Sequence, residues 1–258
     1  MSDRQSPQVV LSTVPGWESA SFRELSGGFT NRTFLVESGQ QKAVLKIDDA
    51  PRSEPFNERR KEAQVQTVAA RKGLAATVLF VSETAYMTEY MEGRIWSNTC
   101  LEDNANLDLL SAALRQLHAL PLTGRTFDAM GAAREYVRRI PGADQDKVNN
   151  CLKTIEAAPR PPNLCCCHND LVAANIINTP DVCFLDWEYA CDNDPFFDLA
   201  TVVAHHKLTT EQSDYLLDAY FDGDGKRWRE QLERQAGVYD ALHWLWETSR
   251  LPAVAQLP

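Results

Sequence analysis

The sequence lacks several features that would assign it to common classes of protein. No apolar run approaches the length of about 18 residues that a membrane-spanning helix needs, and residues 1–10 contain an Asp and no apolar core of a signal peptide. Glycine and proline are scarce, at 12 and 13 of 258 residues, which excludes collagen-like and low-complexity chains. No internal repeat and no GxxxxGK(S/T) phosphate loop occur. We therefore expect a globular cytoplasmic protein that binds no membrane.

Positive charge is also in short supply. Lys and Arg total 26 against 36 Asp and Glu, a formal net charge of -10. Such a balance makes wrapping of a nucleic-acid backbone improbable, so no nucleic-acid partner is expected. The acidity fits a cationic substrate, and ordinary solubility explains it equally well. Nothing in the sequence indicates an obligate protein partner.

The seven cysteines do not form a recognisable framework. Their number is odd, and no CxxC pair or His/Cys array has the spacing of a zinc site. We interpret all seven as reduced thiols, as is usual in the cytoplasm. Cys165, Cys166 and Cys167 are adjacent and are expected to act as small apolar residues in a strand. His118 is expected to be a core histidine.

The first 92 residues have the pattern of a small α+β unit. Two apolar stretches, 33–36 and 43–47, flank Ser38-Gly39-Gln40 and predict a β-hairpin. Residues 57–72 predict a helix with Asn57 as its N-cap, ending at Gly73. Short strands are predicted at 78–81 and 86–90.

After Gly93 the pattern becomes mostly helical. One β interruption is predicted within 163–190, where the apolar runs 164–167 and 182–185 lie on either side of a turn. Helices are predicted near 106–119, 130–140, 145–157, 210–221 and 227–250. The sequence thus predicts an α+β protein with a small β-rich lobe at 1–92 and a larger, mainly helical lobe at 93–258.

Oxygen-bearing side chains follow the two predicted strands of this interruption. The stretch His168-Asn-Asp-Leu-Val-Ala-Ala-Asn175 contains Asp170 and Asn175, and Phe-Leu-Asp-Trp-Glu at 184–188 contains Asp186. Carboxylate and amide oxygens suit a hard cation such as Mg²⁺, which often also binds substrate phosphates. A separate Asp could orient a hydroxyl nucleophile and accept its proton.

These two stretches resemble the catalytic and metal-binding loops of the aminoglycoside phosphotransferase and choline kinase superfamily. The resemblance implies a two-lobed, protein-kinase-like fold and transfer of a phosphoryl group from ATP. It makes 1–92 the nucleotide-binding lobe and 93–258 the catalytic and acceptor-binding lobe. It implies that Asp170 is the catalytic carboxylate and that Asn175 and Asp186 bind Mg²⁺. A further superfamily element is Asp-Pro-Phe-Phe-Asp-Leu-Ala at 194–200, in which Asp198 would hydrogen-bond to the catalytic-loop backbone. His168 is expected to be a structural hydrogen-bonding residue.

Further elements in the first 92 residues match the same superfamily in the same order. Ser26, Gly27 and Gly28 precede a strand and would cover the nucleotide phosphates. Lys46 interrupts an apolar strand, and the resemblance makes it the lysine that contacts those phosphates.

A helical glutamate usually holds such a lysine. Glu62 and Glu58 lie four residues apart on one face of the predicted helix, and Glu62 fits the superfamily's Glu-Ala pair better. Glu58 remains the alternative. The stretch 87–93 resembles the hinge between the two lobes, whose backbone contacts adenine. The resemblance therefore makes Glu89 and Met91 nucleotide-binding residues. The sequence does not separate ATP from GTP.

The acceptor is less clearly specified. The form Asp-Trp-Glu-Tyr-Ala at 186–190 is more similar to bacterial choline and thiamine kinases than to aminoglycoside enzymes. Glu188, His243 and Trp246 are candidates to bind a cationic alcohol such as choline, ethanolamine or thiamine. Choline kinases present two Trp at this helical spacing, and His243 replaces the first. The alternatives are an aminoglycoside phosphotransferase, which confers resistance, and a non-catalytic ligand-binding pseudoenzyme.

Overall fold

The computed structural model describes residues 6–25, 31–48, 58–159, 161 and 163–250. Within these ranges the chain forms eight α-helices: α1 (Pro7–Leu11), α2 (Arg59–Ala70), α3 (Asn104–His118), α4 (Ala129–Arg138), α5 (Gln145–Ala157), α6 (Pro195–His205), α7 (Thr210–Tyr220) and α8 (Arg229–Arg250). The same ranges contain ten strands: β1 (Ser21–Leu25), β2 (Asn31–Ser38), β3 (Gln41–Asp48), β4 (Val78–Val81), β5 (Ala85–Glu89), β6 (Arg94–Ile95), β7 (Cys165–Cys167), β8 (Ile176–Asn178), β9 (Val182–Phe184) and β10 (Cys191–Asn193). The predicted α+β class is confirmed. Among the helices described, none combines the length and apolar character needed to cross a membrane.

The chain divides into two units. The N-terminal unit comprises Met1–Ile95 and Asn175–Ala190, and the C-terminal unit comprises Trp96–Ala174 and Cys191–Pro258. Residues 175–190 are therefore grouped with the N-terminal unit, although the residues on both sides of them are not. The lobe boundary at residue 92 stays a prediction.

A five-stranded antiparallel sheet forms the centre of the N-terminal unit, in the order β1-β2-β3-β5-β4. Its hairpin is the predicted one: Ser38 pairs with Gln41, and Gly39 takes a φ of 61° in the two-residue turn. Alternate residues of β3 are fully buried against α1 and neighbouring strands, among them Leu45 and Ile47. Because side chains alternate along a strand, Lys46 projects from the opposite face.

Helix α2 agrees with its prediction at its C-terminus and differs at its N-terminus. It begins at Arg59, preceded by Glu58, whose side chain makes no capping hydrogen bond. Asn57, the predicted cap, lies outside the described residues. At the other end Gly73 has a φ of 75°, and the Leu74 N–H donates to Ala69 O at 3.1 Å. This left-handed glycine closes the helix as the sequence predicts.

The C-terminal unit is mainly helical. Helix α3 is capped by Asp103, whose carboxylate accepts the Ala105 N–H, and its leucines at 107, 110, 114 and 117 are fully buried at helical spacing. The long helix α8 packs against α4, α5 and α6. Strands β7 and β10 pair in antiparallel fashion beside α3 and α6. The prediction missed α6 as a helix and β10 as a strand.

Candidate active site

Lys46 and Asp186 form an ion pair within the N-terminal unit. Lys46 stands in the middle of β3, flanked by Thr33 of β2 and Tyr86 of β5. Its Nζ lies 2.8 Å from Oδ1 of Asp186, and its side chain is only 16% exposed. Burial lowers the pKa of Lys46, but the negative charges of Asp186 and Glu62 outweigh that effect and hold the pKa above its usual value. The lysine is therefore firmly cationic at neutral pH.

The two candidate glutamates of α2 have different surroundings. Glu62 is buried, and its charge acts on Lys46. Glu58 is exposed and accepts a hydrogen bond from Lys61 Nζ at 3.0 Å. The structure thus places Glu62, rather than Glu58, in the charged group around Lys46.

Arg59 is a member of this group that the sequence analysis did not select. Its Nη1 donates to Glu62 Oε2 at 2.8 Å, and its Nη2 and Nε donate to the two carboxylate oxygens of Asp48 at 2.6 and 3.2 Å. All three side chains are at most 3% exposed. Arg59 therefore joins the first turn of α2 to the end of β3 and fixes the orientation of Glu62.

Removing this guanidinium would take away the cation that hydrogen-bonds to both buried carboxylates. We expect Arg59→Met to lower the free energy of unfolding by about 3–5 kcal/mol, the usual cost of breaking a buried ion pair. Urea denaturation followed by circular dichroism measures the change. Arg60→Met is the matched control, because the neighbouring Arg60 is exposed. Equal stability of the two variants would contradict the role given to Arg59.

Asn175 and Asp186 lie on adjoining segments of the N-terminal unit. Asn175 immediately precedes β8 and is 8% exposed, and its carbonyl oxygen accepts the Leu185 N–H at 2.8 Å. Asp186 follows β9 with a φ of 61°. Next to it, the fully buried Trp187 donates its indole N–H to Phe184 O at 2.9 Å. The pairing of β8 with β9 thus brings the backbones of the two predicted metal ligands together.

Asp198 binds the backbone of the catalytic-loop stretch in the C-terminal unit. Its Oδ2 accepts the His168 N–H at 2.9 Å, and its Oδ1 accepts the Asn169 N–H at 2.7 Å. Both Asp198 and His168 are fully buried. Asn169 has a φ of 65°, and its Oδ1 accepts from Asn193 Nδ2 at 2.7 Å. Asp170 therefore follows a rigidly held turn and is itself partly exposed.

His118 is a further partner of Asp198. Its Nε2 lies 3.0 Å from Asp198 Oδ2, and its Nδ1 lies 2.7 Å from the hydroxyl of Tyr220. The side chain is 5% exposed, in agreement with the prediction of a core histidine. The link to the catalytic-loop stretch was not predicted, since nothing in the sequence pairs position 118 with position 198.

A row of three stacked rings lies along α8. The Tyr239 and His243 rings are 5.5 Å apart at an interplanar angle of 18°, and the His243 and Trp246 rings are 6.0 Å apart at 29°. Burial raises the pKa of Tyr239, and the charge of Asp170 raises it further. The three rings form the aromatic row (Tyr239, His243 and Trp246), and the charge of Asp170 reaches its Tyr239 end. Tyr239 was not among the predicted site residues.

Trp244 does not belong to this row. It faces α5, where the Nζ of Lys147 lies 4.4 Å from its ring centroid. Glu247 adds a carboxylate to the aromatic row, with Oε2 3.7 Å from His243 Nδ1. Arg250 lies there too, with its guanidinium carbon 4.9 Å from the Trp246 ring centroid, so this end of the aromatic row carries charge of both signs.

The remaining predicted residues occupy several positions. Ser26, Gly27 and Gly28 lie outside the described residues. In the hinge-like stretch, the Glu89 N–H donates to Thr77 O at 2.9 Å, so this N–H group is already engaged; Met91 lies beyond the end of β5. Glu188 is buried, at 7% exposure, in the short 3₁₀ turn that follows Asp186 in the N-terminal unit.

Residues 21–245 match the family APH, described as a phosphotransferase enzyme family. The chain is 30% identical to the protein LicA of Haemophilus influenzae over 223 residues, which is 80% of this chain and 65% of that protein. The chain thus spans slightly less than two thirds of this relative's length.

Two solved structures share the fold. The choline kinase LicA of Streptococcus pneumoniae superposes with a TM-score of 0.76 at 22% identity, covering 89% of this chain and 85% of the other. A choline/ethanolamine kinase family protein of Mesorhizobium loti gives a TM-score of 0.72 at 24% identity, covering 93% and 83%. The predicted protein-kinase-like fold is confirmed.

Proposed function

The chain belongs to the phosphotransferase enzyme family, and we propose that it moves the γ-phosphoryl group of ATP to the hydroxyl of a small cationic alcohol. Choline, ethanolamine and thiamine are the acceptors considered first. The observation that carries the proposal is the 2.8 Å ion pair of Lys46 with Asp186, because it joins a candidate phosphate-binding cation to a candidate metal ligand.

The N-terminal unit would hold the nucleotide. Lys46, kept cationic by Asp186 and Glu62, would contact the phosphates. Asn175 and Asp186 supply the amide and carboxylate oxygens that Mg²⁺ accepts, so this donor set fits the metal. Mg²⁺ bound by them would neutralise charge on the phosphate oxygens during transfer.

Other parts of this unit would bind the rest of the nucleotide. The loop with Ser26, Gly27 and Gly28 would cover the phosphates, and the hinge-like stretch with Glu89 and Met91 would meet the base. Because the N–H of Glu89 is engaged with Thr77, contact with the base would use other backbone groups of this stretch.

Asp170 would align the acceptor hydroxyl and accept its proton. The Asp198 carboxylate accepts the backbone N–H groups of His168 and Asn169 and so holds the preceding turn, which positions Asp170 before the substrate arrives. In phosphoryl transfer most of the rate gain comes from such positioning and from electrostatics. The assignment requires that Asp170 and the residues of the N-terminal unit serve one reaction.

The aromatic row would bind the cationic end of the acceptor. The rings offer aromatic surface to an ammonium group, and Glu247 would add Coulomb attraction that Arg250, over the Trp246 ring, opposes. Glu188 is proposed as a second carboxylate for the acceptor. We also propose a cytoplasmic location, which the seven free cysteines support.

A coupled assay of ADP release tests the acceptor class. Choline, ethanolamine, thiamine, amino sugars and aminoglycosides would be compared as substrates, each with and without Mg²⁺. Magnesium-dependent turnover with the small cationic alcohols is expected. Preferential turnover of aminoglycosides would favour the resistance enzyme, and turnover of none would favour the pseudoenzyme.

Trp246→Ala should raise KM for the cationic acceptor with little change in kcat. A cation–π contact contributes about 1–2 kcal/mol when it is partly desolvated, which corresponds to an increase of about 5- to 30-fold. Steady-state kinetics with choline or the best acceptor of the screen measures the change.

The matched control is Trp244→Ala, because that ring faces Lys147 rather than the aromatic row. A second control is 3,3-dimethylbutanol, a neutral alcohol of similar shape to choline, on which the Trp246 variant and the wild type should differ little. An equal rise in KM for both Trp variants would argue against the aromatic row as the acceptor site.

A further inference from the structure

His118, Cys165 and Cys167 form a compact group of soft ligands in the C-terminal unit. One nitrogen of the imidazole and the two sulfur atoms all lie within 4.8 Å of one another. The two Sγ atoms are 3.5 Å apart. None of the three has a place in the proposed phosphoryl transfer, so the group needs a separate explanation.

The geometry of β7 creates the pair of thiols. Cys165 and Cys167 are two residues apart on the strand and therefore point to the same face, whereas Cys166 points to the other face. The register of β7 with β10 fixes this arrangement, with Cys167 opposite Cys191 and Cys166 opposite Asp192. The strand packs against α3, whose last residue is His118. The fold thus brings an imidazole from far upstream to the two thiols, a grouping that sequence spacing does not reveal.

We propose that His118, Cys165 and Cys167 bind a thiophilic divalent cation of the Zn²⁺ class. Two thiolates and one imidazole are a donor set that Zn²⁺ accepts, with a fourth position left for water or another oxygen. With Zn–S bonds of about 2.3 Å, tetrahedral ligation separates two sulfur atoms by about 3.8 Å. The observed 3.5 Å is close to this value. Cys165 is partly exposed, which gives the ion a path to the site.

Asp198 prepares His118 for this role. A ligating histidine usually donates its other ring N–H to a carboxylate, which fixes the tautomer and makes the ligating nitrogen more basic. Here Nε2 lies 3.0 Å from Asp198 Oδ2, which leaves Nδ1 as the ligand.

Nδ1 now faces the Tyr220 hydroxyl at 2.7 Å, and this hydroxyl must turn away when the cation binds. Burial raises the pKa of Tyr220, and the charges of Cys165 and Cys167 raise it further. Burial also raises the pKa of Cys167. Binding of the cation would therefore release protons and become tighter as the pH rises.

The test is a Zn²⁺ titration of the full, reduced chain under anaerobic conditions, in competition with a chromophoric chelator. One equivalent of Zn²⁺ is expected to bind, and Co²⁺ in its place should give a sulfur-to-metal charge-transfer band. Cys165→Ser should raise the Kd for Zn²⁺ at least about 10-fold and abolish that band. Because Cys165 is partly exposed, this variant should keep the fold, which circular dichroism verifies.

Two cysteine variants serve as controls, and one tyrosine variant tests whether Nδ1 of His118 is the ligand. Cys166→Ala changes the same strand on its other face, and Cys100→Ser changes a partly exposed thiol outside the cluster. Both should bind Zn²⁺ like the wild type. Tyr220→Phe frees Nδ1 and should bind at least as tightly.

Unchanged Zn²⁺ affinity in Cys165→Ser would overturn the proposal, because the ion would then be bound elsewhere. A wild type that binds no Zn²⁺ when reduced, but loses two thiols to a disulfide in air, would overturn it as well. That outcome would identify Cys165 and Cys167 as a redox pair instead.

Discussion

Asp170→Asn is expected to lower turnover by about 10²- to 10⁴-fold and to leave nucleotide affinity nearly unchanged. The amide has the shape of the carboxylate but cannot accept the proton of the acceptor hydroxyl. Lys46 of the N-terminal unit, rather than Asp170, is proposed to contact the phosphates. The variant should therefore still bind the nucleotide. Single-turnover kinetics gives the transfer rate, and titration with a fluorescent ATP analogue gives the affinity.

Asp181→Asn is the control for this variant, since Asp181 is an exposed carboxylate on the loop between β8 and β9. It should behave like the wild type in both measurements. Turnover retained by Asp170→Asn would contradict the assignment of Asp170 as proton acceptor. A loss of nucleotide affinity as large as the loss of turnover would show that the residue acts in binding instead.

Asp186→Asn should weaken binding of the magnesium–nucleotide complex by about 10- to 100-fold or more. The change removes a proposed metal ligand and the 2.8 Å partner of Lys46 at once. Isothermal titration calorimetry with a non-hydrolysable ATP analogue, with and without Mg²⁺, measures the loss. The difference between the nucleotide affinities measured with and without Mg²⁺ should be smaller than in the wild type, because the variant has lost a proposed metal ligand.

The same variant should lower the pKa of Lys46. In the wild type, burial pulls this pKa down while Asp186 and Glu62 push it above its usual value. Without the charge of Asp186 the effect of burial is opposed mainly by Glu62, so the pKa must fall. NMR titration of the Lys46 side chain follows this change, and Asp181→Asn again serves as the control. Unchanged affinity and an unchanged lysine pKa would together refute the assignment.

Local patterns predicted most of the fold. The hairpin of β2 and β3 follows from two apolar stretches around Gly39, and the end of α2 follows from Gly73, because each glycine adopts a positive φ. Helix α6 was not predicted, although Asp194 and Pro195 are a typical start of a helix, with the Asp194 carboxylate accepting the Phe196 N–H. Strand β10 has only three residues, too few for an alternating pattern.

The site was predictable where its residues are neighbours in sequence. Asp170, Asn175 and Asp186 stand in two short motifs, and Lys46 interrupts an apolar strand, so each could be selected. Arg59 could not be selected, since an arginine in a charged helical segment looks like a surface residue until its burial is known. His118 was missed as a partner of Asp198 for a related reason: the two residues are 80 positions apart along the chain.

The path of the chain has a consequence for how the protein is made. The N-terminal unit needs residues 175–190, which a ribosome reaches only after it has produced the long insertion that starts at Trp96. At about 5–20 residues per second, roughly 5 to 20 s separate Ile95 from Ala190. During that interval Lys46 has been synthesised but its ion-pair partner Asp186 has not. Strand β6 likewise waits for its partner strand β8. The incomplete N-terminal unit is therefore accessible to chaperones until residues 175–190 have been synthesised.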